Sequence, residues 1–424
     1  MTVSAVHRQA AVRTVLAGLI GNVLEWFDFA VFGYFSATIG QQFFPNSSPA
    51  AQQLYAFAAF GIGFFARPVG SIVLGLVGDR IGRRALLTLS ISLMGGATLA
   101  MGLLPTFAQV GVAAPVLLVL MRLIQGFSLG GEFTGSMVYT TEKSSPLTRG
   151  LVSSSTAAGT TIGFILGSFA AWLVNAQLTP EQVVAWGWRL PFVASVLFLV
   201  IGYLLRRGIS ETAEGVTAAR LRPPLWPSLL ADWRPILQTF GIVAMTNAAY
   251  YLTFAFAVER RKAVAGASGA EFQLANTMTL FLVLFAKPVG GWLSDVIGRR
   301  RQMLALNVIM MAMIYPALQM MLYGTGTDFI LGQAMLAVPL GLALGMQGAM
   351  VVEIFPLRTR VTSMSVAYSL TLALAGGAAP FMSSWIIDTL GRPLWPAYYV
   401  MIYGVLGLAL MWPMHETNTR PLDV

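Results

Sequence analysis

Charge is what this sequence has least of. Only 10% of its 424 residues are Asp, Glu, Lys or Arg, against roughly a quarter in an ordinary soluble domain, while 56% are hydrophobic. That ratio excludes a soluble globular fold, whose interior could not hide so much apolar surface. Cysteine is absent, so there is no disulfide framework to infer and the redox compartment stays open. The two histidines, His7 and His415, lie near the termini and are not expected to carry protons inside a membrane. No nucleophile–base pair, metal-ligand cluster or phosphate loop stands out, which argues against an enzyme and for no cofactor. The first apolar stretch is not followed by a small-residue cleavage site, so the first helix is expected to stay in the mature protein.

What is abundant is the apolar run. Charge-poor stretches of 18 to 25 residues recur along the chain, each long enough to cross a hydrocarbon core of roughly 30 Å at ~1.5 Å per residue. A transmembrane barrel would instead show short alternating strands. The pattern predicts an all-α integral membrane protein with twelve helices, at 13–40, 51–78, 85–104, 113–141, 150–175, 188–207, 236–258, 271–294, 302–323, 328–352, 361–387 and 394–412. The net charge of +9 follows this topology. Eighteen Lys and Arg residues, among them Arg80, Arg83, Arg84, Arg299, Arg300 and Arg301, fall on one side of the predicted membrane and five on the other. The positive-inside rule then places both termini in the cytoplasm of a cell inner membrane. No basic patch with interleaved aromatics is present, so a nucleic-acid partner is not expected.

The stretch 208–235, with its R-P-P and W-P-S turns, reads as a linker between an N-terminal bundle (1–207) and a C-terminal bundle (236–424). Gly75-Leu-Val-Gly-Asp79-Arg-Ile-Gly82-Arg83-Arg84 returns as Gly291-Trp-Leu-Ser-Asp295-Val-Ile-Gly298-Arg299-Arg300, 216 residues later. Glu142 and Arg149, with Pro146 between, return as Glu353 and Arg360, with Pro356 between, the Glu and Arg at an offset of 211. Parallel repeats with a site between them are a transporter architecture.

The G-x-x-x-D-x-x-G-R-R loop and its copy resemble the signature of the major facilitator superfamily. More narrowly, Gly21-Asn22-Val-Leu-Glu25-Trp26-Phe27-Asp28-Phe29, Phe65-Ala-Arg67-Pro68-Val-Gly70, Arg122-Leu-Ile-Gln125-Gly126-Phe-Ser-Leu-Gly130-Gly131-Glu132 and Trp186-Gly-Trp188-Arg189-Leu-Pro191-Phe192 resemble the metabolite:proton symporters, which include proline/betaine, 2-oxoglutarate, citrate and shikimate transporters. The resemblance implies a proton-driven importer of a small polar metabolite, working as a monomer on the proton gradient. About a dozen residues follow the last predicted helix, so the long C-terminal coiled coil of the osmosensing proline/betaine member has no match here.

An ionisable side chain in the bilayer core costs at least ~2.5–3.5 kcal/mol, so each one there is a functional candidate. Six qualify: Glu25, Asp28, Arg67, Arg122, Glu132 and Lys287. Counting helical rise puts Arg67 and Glu25 at ~18 Å and Glu132 at ~15 Å from the cytoplasmic ends, one level near the midplane where carboxylate and guanidinium can neutralise each other. Asp28 and Arg122 lie higher and are expected to meet in the outer half. A carboxylate freed from its Arg and desolvated takes a proton, and one paired with Arg releases it, so Asp28, Arg122, Glu132 and Glu25 are the candidates for proton coupling. The plainer explanation is that these are structural ion pairs between helices one, two and four.

Across the repeat Arg122 falls on Gln333 and Glu132 on Ala343, while Asn22-x-x-Glu25-Trp26-x-Asp28 aligns loosely with Asn247-x-x-Tyr250-Tyr251-x-Thr253. The second half thus has the scaffold without the acids. Asn22, Trp26, Arg67, Asn247, Tyr250, Tyr251 and Lys287 are the expected substrate contacts; for the tyrosines, packing is the simpler alternative. Lys287, ~12 Å above Asp295, either snorkels to the surface or points inward and joins Arg67 in attracting an anion.

Asp79, Arg83, Asp295 and Arg299 are expected at a cytoplasmic gate, with carboxylates meeting helix N-termini and arginines bridging to the other bundle. Gly159, Gly163 and Gly167 form a small-residue stripe for close helix packing. Gly167-Ser168 stands where drug-exporting antiporters resembling this fold carry Gly-Pro, which counts against efflux. Trp186, Trp188, Trp395 and Trp412 fall at predicted interfaces. The expectation is proton-coupled uptake of a small organic anion, a carboxylate above all. The alternatives are a zwitterion such as a betaine or amino acid and, from another class, a transporter-like sensor, for which the chain offers no sizeable cytoplasmic domain.

Overall fold

A computed structural model of the chain describes residues 21–81, 83–130, 132–142, 144–206, 225–265, 269–418 and 422. The side chains of a few residues inside its helices, those of Asp79, Arg83 and Glu132 among them, lie outside the described residues, so the roles expected of these three rest on sequence alone.

All regular structure among the described residues is helical. The first half consists of α1 (21–34 and, after a turn at Phe35, Ser36–Phe43), α2 (Pro49–Ile81), α3 (Arg83–Leu103), α4 (Ala113–Ser128, continuing as Glu132–Glu142), α5 (Arg149–Gln177) and α6 (Gly187–Leu204). The second consists of α7 (Trp233–Val264), α8 (Gly269–Ile297), α9 (Arg299–Tyr323), α10 (Gly326–Ile354), α11 (Arg360–Leu390) and α12 (Pro396–Met411). Among the described residues nine of these are long and apolar enough to cross a membrane, α3 and α12 have shorter apolar cores, and α1 starts where the described chain starts.

Each expected span finds its helix over the described residues, with 13–20 of the first span and 208–224 of the expected linker lying outside them, and most run past the hydrocarbon limits that hydropathy marks. Helix α7 continues to Val264 because its polar end stays paired: Lys262 Nζ donates to Glu259 at 2.7 Å, and Arg261 donates to the carbonyl oxygens of Leu322 and Gly324. A short helix, Leu225–Ala231, lies inside the stretch expected as linker.

Three π-helical turns among the described residues are not foreseeable from periodicity: Val183–Gly187 ahead of α6, Leu252–Phe256 within α7 and Leu372–Gly377 within α11. Each inserts one residue and re-aims the side chains beyond it. The first corrects an expectation. It turns Trp188 inward, where the ring is fully buried against Phe43 and Phe192 under the Arg189 guanidinium, whereas Trp186, Trp395 and Trp412 stay exposed. Arg189 in turn donates to the Gly102 and Leu104 carbonyls at the end of α3, which gives the Trp-Gly-Trp-Arg motif a structural reason.

Within each half, helices touch backbone to backbone. A Cβ on Gly70 of α2 would sit 1.9 Å from the Phe127 carbonyl oxygen of α4, and one on Gly290 of α8 would sit 2.1 Å from that of Leu342 in α10. The two halves are built alike at this contact. The glycine stripe of α5 packs on α1: a Cβ on Gly163 would meet the Val23 oxygen at 2.6 Å, and one on Gly167 the Ala30 Cβ at 2.6 Å. Between the halves, α5 lies along α8 and α10, and α2 lies along α11.

Candidate transport site

A cavity of about 30 Å³ lies where the halves meet. Its walls come from both: Trp26, Phe133, Met137, Ala157, Thr160 and Phe164 from the first half; Asn247, Tyr250, Lys287, Leu344, Gln347 and Tyr368 from the second. Trp26, Asn247, Tyr250 and Lys287 were expected there. Asn22, Arg67 and Tyr251 do not line it, although all three are buried and the Tyr251 ring stacks on Trp26 at 6.4 Å.

The structure pairs the buried charges of the first half. Arg67 donates to the Glu25 carboxylate, and its guanidinium carbon lies 5.6 Å from the Phe64 ring centre and 5.9 Å from that of Trp26. Arg67 is thereby neutralised beside the cavity, which corrects the expectation that it faces an anion directly. One turn along α1, Arg122 Nη1 donates to Asp28 Oδ2 at 2.8 Å, and both side chains are fully buried. The arginine carbon stands 3.8 Å over the Phe32 ring, a cation–π contact that helps hold a desolvated guanidinium.

Sequence reasoning gave no role to the third member of this cluster. Gln125 accepts from Arg122 Nη1 at 2.8 Å and donates to Asp28 Oδ1 at 2.8 Å and to Thr98 Oγ1 at 2.9 Å. It occupies the second carboxylate oxygen and ties α1, α3 and α4 together. Its position three residues after Arg122 on one helical face was the available signal.

Lys287 points inward and does not snorkel. Its ammonium donates to the Ala157 carbonyl at 2.5 Å, to Thr160 Oγ1 at 3.0 Å and to Thr161 Oγ1, all on α5. No carboxylate lies within ion-pair distance of it among the described residues. The reason is legible in a further repeat: Arg67-Pro68-Val69-Gly70 returns as Lys287-Pro288-Val289-Gly290, with the two glycines making the equivalent α2–α4 and α8–α10 contacts. Lys287 is the second half's counterpart of Arg67, and in the alignment Tyr250 stands where Glu25 would neutralise it.

Both sides of the cavity are closed. On the face carrying the α8–α9 loop, Asp295 accepts from the backbone amides of Gly150 at 2.9 Å and Leu151 at 3.0 Å, so a carboxylate of one half caps the N-terminus of α5 in the other. Gly150 and Gly291 permit this approach, since a Cβ on either would lie 2.4 Å from the other's carbonyl oxygen. Arg299, the described member of the expected gate cations, does not bridge the halves. Arg299 bonds Asp295 and Glu353 inside its own half, whereas Arg360 pairs with Glu142 at 2.7 Å and Arg149 with Glu353 at 3.7 Å. The repeated Glu and Arg thus exchange partners between halves. Arg300 donates to the Met411 and Trp412 carbonyls, which ties the start of α9 to the end of α12.

On the opposite face a polar clasp joins the halves. Lys262 Nζ donates to the Tyr34 carbonyl at 3.0 Å, Asn276 Nδ2 to the Tyr34 hydroxyl at 2.9 Å and to Ser168 Oγ at 3.0 Å, and Gln273 Nε2 to Ser168 Oγ at 2.8 Å. None of these residues sits in a recognisable motif.

Residues 14–214 match the family model described as Sugar (and other) transporter, and residues 239–422 match that of the Major Facilitator Superfamily. The chain is 36% identical over 408 residues to a citrate-proton symporter of Klebsiella pneumoniae, covering 94% of this chain and 90% of that one. It is 31% identical over 426 residues to a proline/betaine transporter of Salmonella typhimurium, covering 97% and 84%. Its fold matches a solved D-xylose-proton symporter with a TM-score of 0.75 at 16% identity, over 97% of this chain and 100% of that one. A partially occluded, inward-open xylose transporter XylE from E. coli matches with a TM-score of 0.73 at 16% identity, over 94% and 97%. The twelve-helix fold in two halves, the loop repeat and these relatives agree that the chain is a multi-pass membrane transporter, not an enzyme, and that it belongs to the metabolite:proton symporters of the major facilitator superfamily.

Proposed function

We propose that the chain imports a small organic anion, a carboxylate, together with protons by alternating access. The observation that carries this is Lys287, a buried cation on the cavity wall with no carboxylate partner among the described residues. A buried charge is costly unless compensated, and a carboxylate substrate compensates it with charge-assisted hydrogen bonds. Asn247, Tyr250, Gln347 and Thr160 supply neutral hydrogen-bonding groups around it. The 36% identity to a citrate-proton symporter agrees with the same reading.

Protons are handled in the first half. A proton on Asp28 removes the charge that holds Arg122, and the released guanidinium, with Gln125, changes how α1, α3 and α4 are tied. Glu25 with Arg67, and Glu132 on sequence grounds, are the secondary candidates. The halves 1–207 and 236–424 rock about the 208–235 linker, with the Asp295 gate on the cytoplasmic side together with both termini, and the Tyr34 clasp outside.

One observation favours a second reading. Trp26, Phe133, Phe164, Tyr250 and Tyr368 make five of the twelve cavity-wall residues aromatic, which suits the quaternary ammonium of a betaine through cation–π contact. Uptake into proteoliposomes under an imposed pH gradient, across citrate, smaller mono- and dicarboxylates, proline and glycine betaine, decides between the two. The anion reading expects a carboxylate to accumulate and a protonophore to abolish the accumulation. Accumulation of glycine betaine alone selects the second reading, and uptake that ignores the protonophore overturns symport.

A further inference from the structure

The cavity of about 30 Å³ has room for roughly two water molecules, not for a carboxylate metabolite, while both faces are bridged. This closed conformation is therefore one the carrier adopts between faces without cargo. A symporter needs such a passage, because after release it must return, and something other than substrate must draw the halves together around the buried site. One contact that does so at the centre, and the only charged one among the described residues lining the cavity, is that of Lys287. Its ammonium belongs to α8 of the second half, and all three of its acceptors belong to α5 of the first.

We infer that Ala157, Thr160 and Thr161 form an internal docking site for the Lys287 ammonium, which takes the place of the substrate carboxylate and closes the substrate-free carrier for its return. This rests on the proposed anion site, since the same ammonium meets the carboxylate in the loaded carrier. Thr161 is fully buried, does not line the cavity, and presents its hydroxyl to the ammonium. Thr160 in turn donates to the Ala157 carbonyl at 2.7 Å, so the acceptors are a connected group held by one helical turn. In the first half the equivalent Arg67 needs no such site, because Glu25 holds it within that half.

The absence of cysteine makes a direct test clean. Spin labels at Ser48→Cys with Arg392→Cys report the opposite face, and labels at Leu147→Cys with Leu357→Cys report the gate-loop face. Distances are measured by pulsed electron resonance in proteoliposomes without substrate or pH gradient, so failure of the symport reading does not affect the outcome. In Thr161→Val the open, longer-distance component on at least one face should rise about tenfold relative to closed, as expected for losing a hydrogen bond to a charged group. Lys287→Met should do the same, and Thr161→Ser should restore the original distribution. Unchanged distributions in both variants overturn the inference. A change in Lys287→Met without one in Thr161→Val overturns it too, because the ammonium would then close the carrier through some other contact.

Discussion

A carboxylate and a guanidinium buried together hold each other neutral, and either becomes an uncompensated charge once its partner goes. Asp28→Asn removes the site for a proton but keeps an amide that can still meet Arg122 and Gln125, so the fold should survive. The expected result is loss of gradient-driven accumulation with substrate exchange retained; unchanged accumulation would take Asp28 out of the mechanism. Lys287→Met acts on the other partner in transport. It should raise the apparent KM for a carboxylate about tenfold or more, the consequence of losing a charge-assisted hydrogen bond, and leave a betaine little affected. A carboxylate KM that does not move would remove Lys287 from the substrate site.

At the scale of elements, the repeated Glu and Arg at the gate differ in burial, and that difference sets their weight. The Glu353 side chain is 2% exposed and receives Arg299, Arg149 and the Thr417 hydroxyl, whereas that of Glu142 is 36% exposed and receives Arg360. Glu353→Gln should therefore cost about 3–5 kcal/mol, as breaking a buried ion-pair network does. Glu142→Gln should cost less, roughly 1–3 kcal/mol, because solvent reaches this carboxylate although its partner Arg360 is buried. Thermal unfolding of the two variants in detergent checks the order, and equal midpoints would contradict it. Sequence alone made these elements visible because their residues recur at a fixed offset. Hydropathy gave the helices for the same kind of reason, and helical rise placed Glu25 and Arg67 at one depth and Asp28 and Arg122 above them in the outer half. What it missed lacks both period and repeat. The π-turns of α7 and α11 leave the apolar pattern unchanged, and Gln125 is a neutral amide without the charge that marks Arg122 on the same face. Tyr34, Ser168 and Asn276 are isolated polar residues on three helices, and only the fold brings them together.

For the whole molecule, the two closures compete across one rigid pair of halves, so weakening either should move the same equilibrium in opposite directions. Lys262→Met removes the cation that bridges Glu259 to the Tyr34 carbonyl and should favour opening of that face. Asp295→Asn removes the charge that caps α5 and should favour opening of the other. A cysteine at Met137 on the cavity wall reads both. Its reaction with a membrane-impermeant maleimide, applied from the clasp side, should be about tenfold faster with Lys262→Met, the change expected from losing a hydrogen bond of a charged group. It should be slower than in the parent with Asp295→Asn. Two changes of the same sign would mean that each merely loosens the protein locally, and that the clasp and the gate are not opposite ends of one movement.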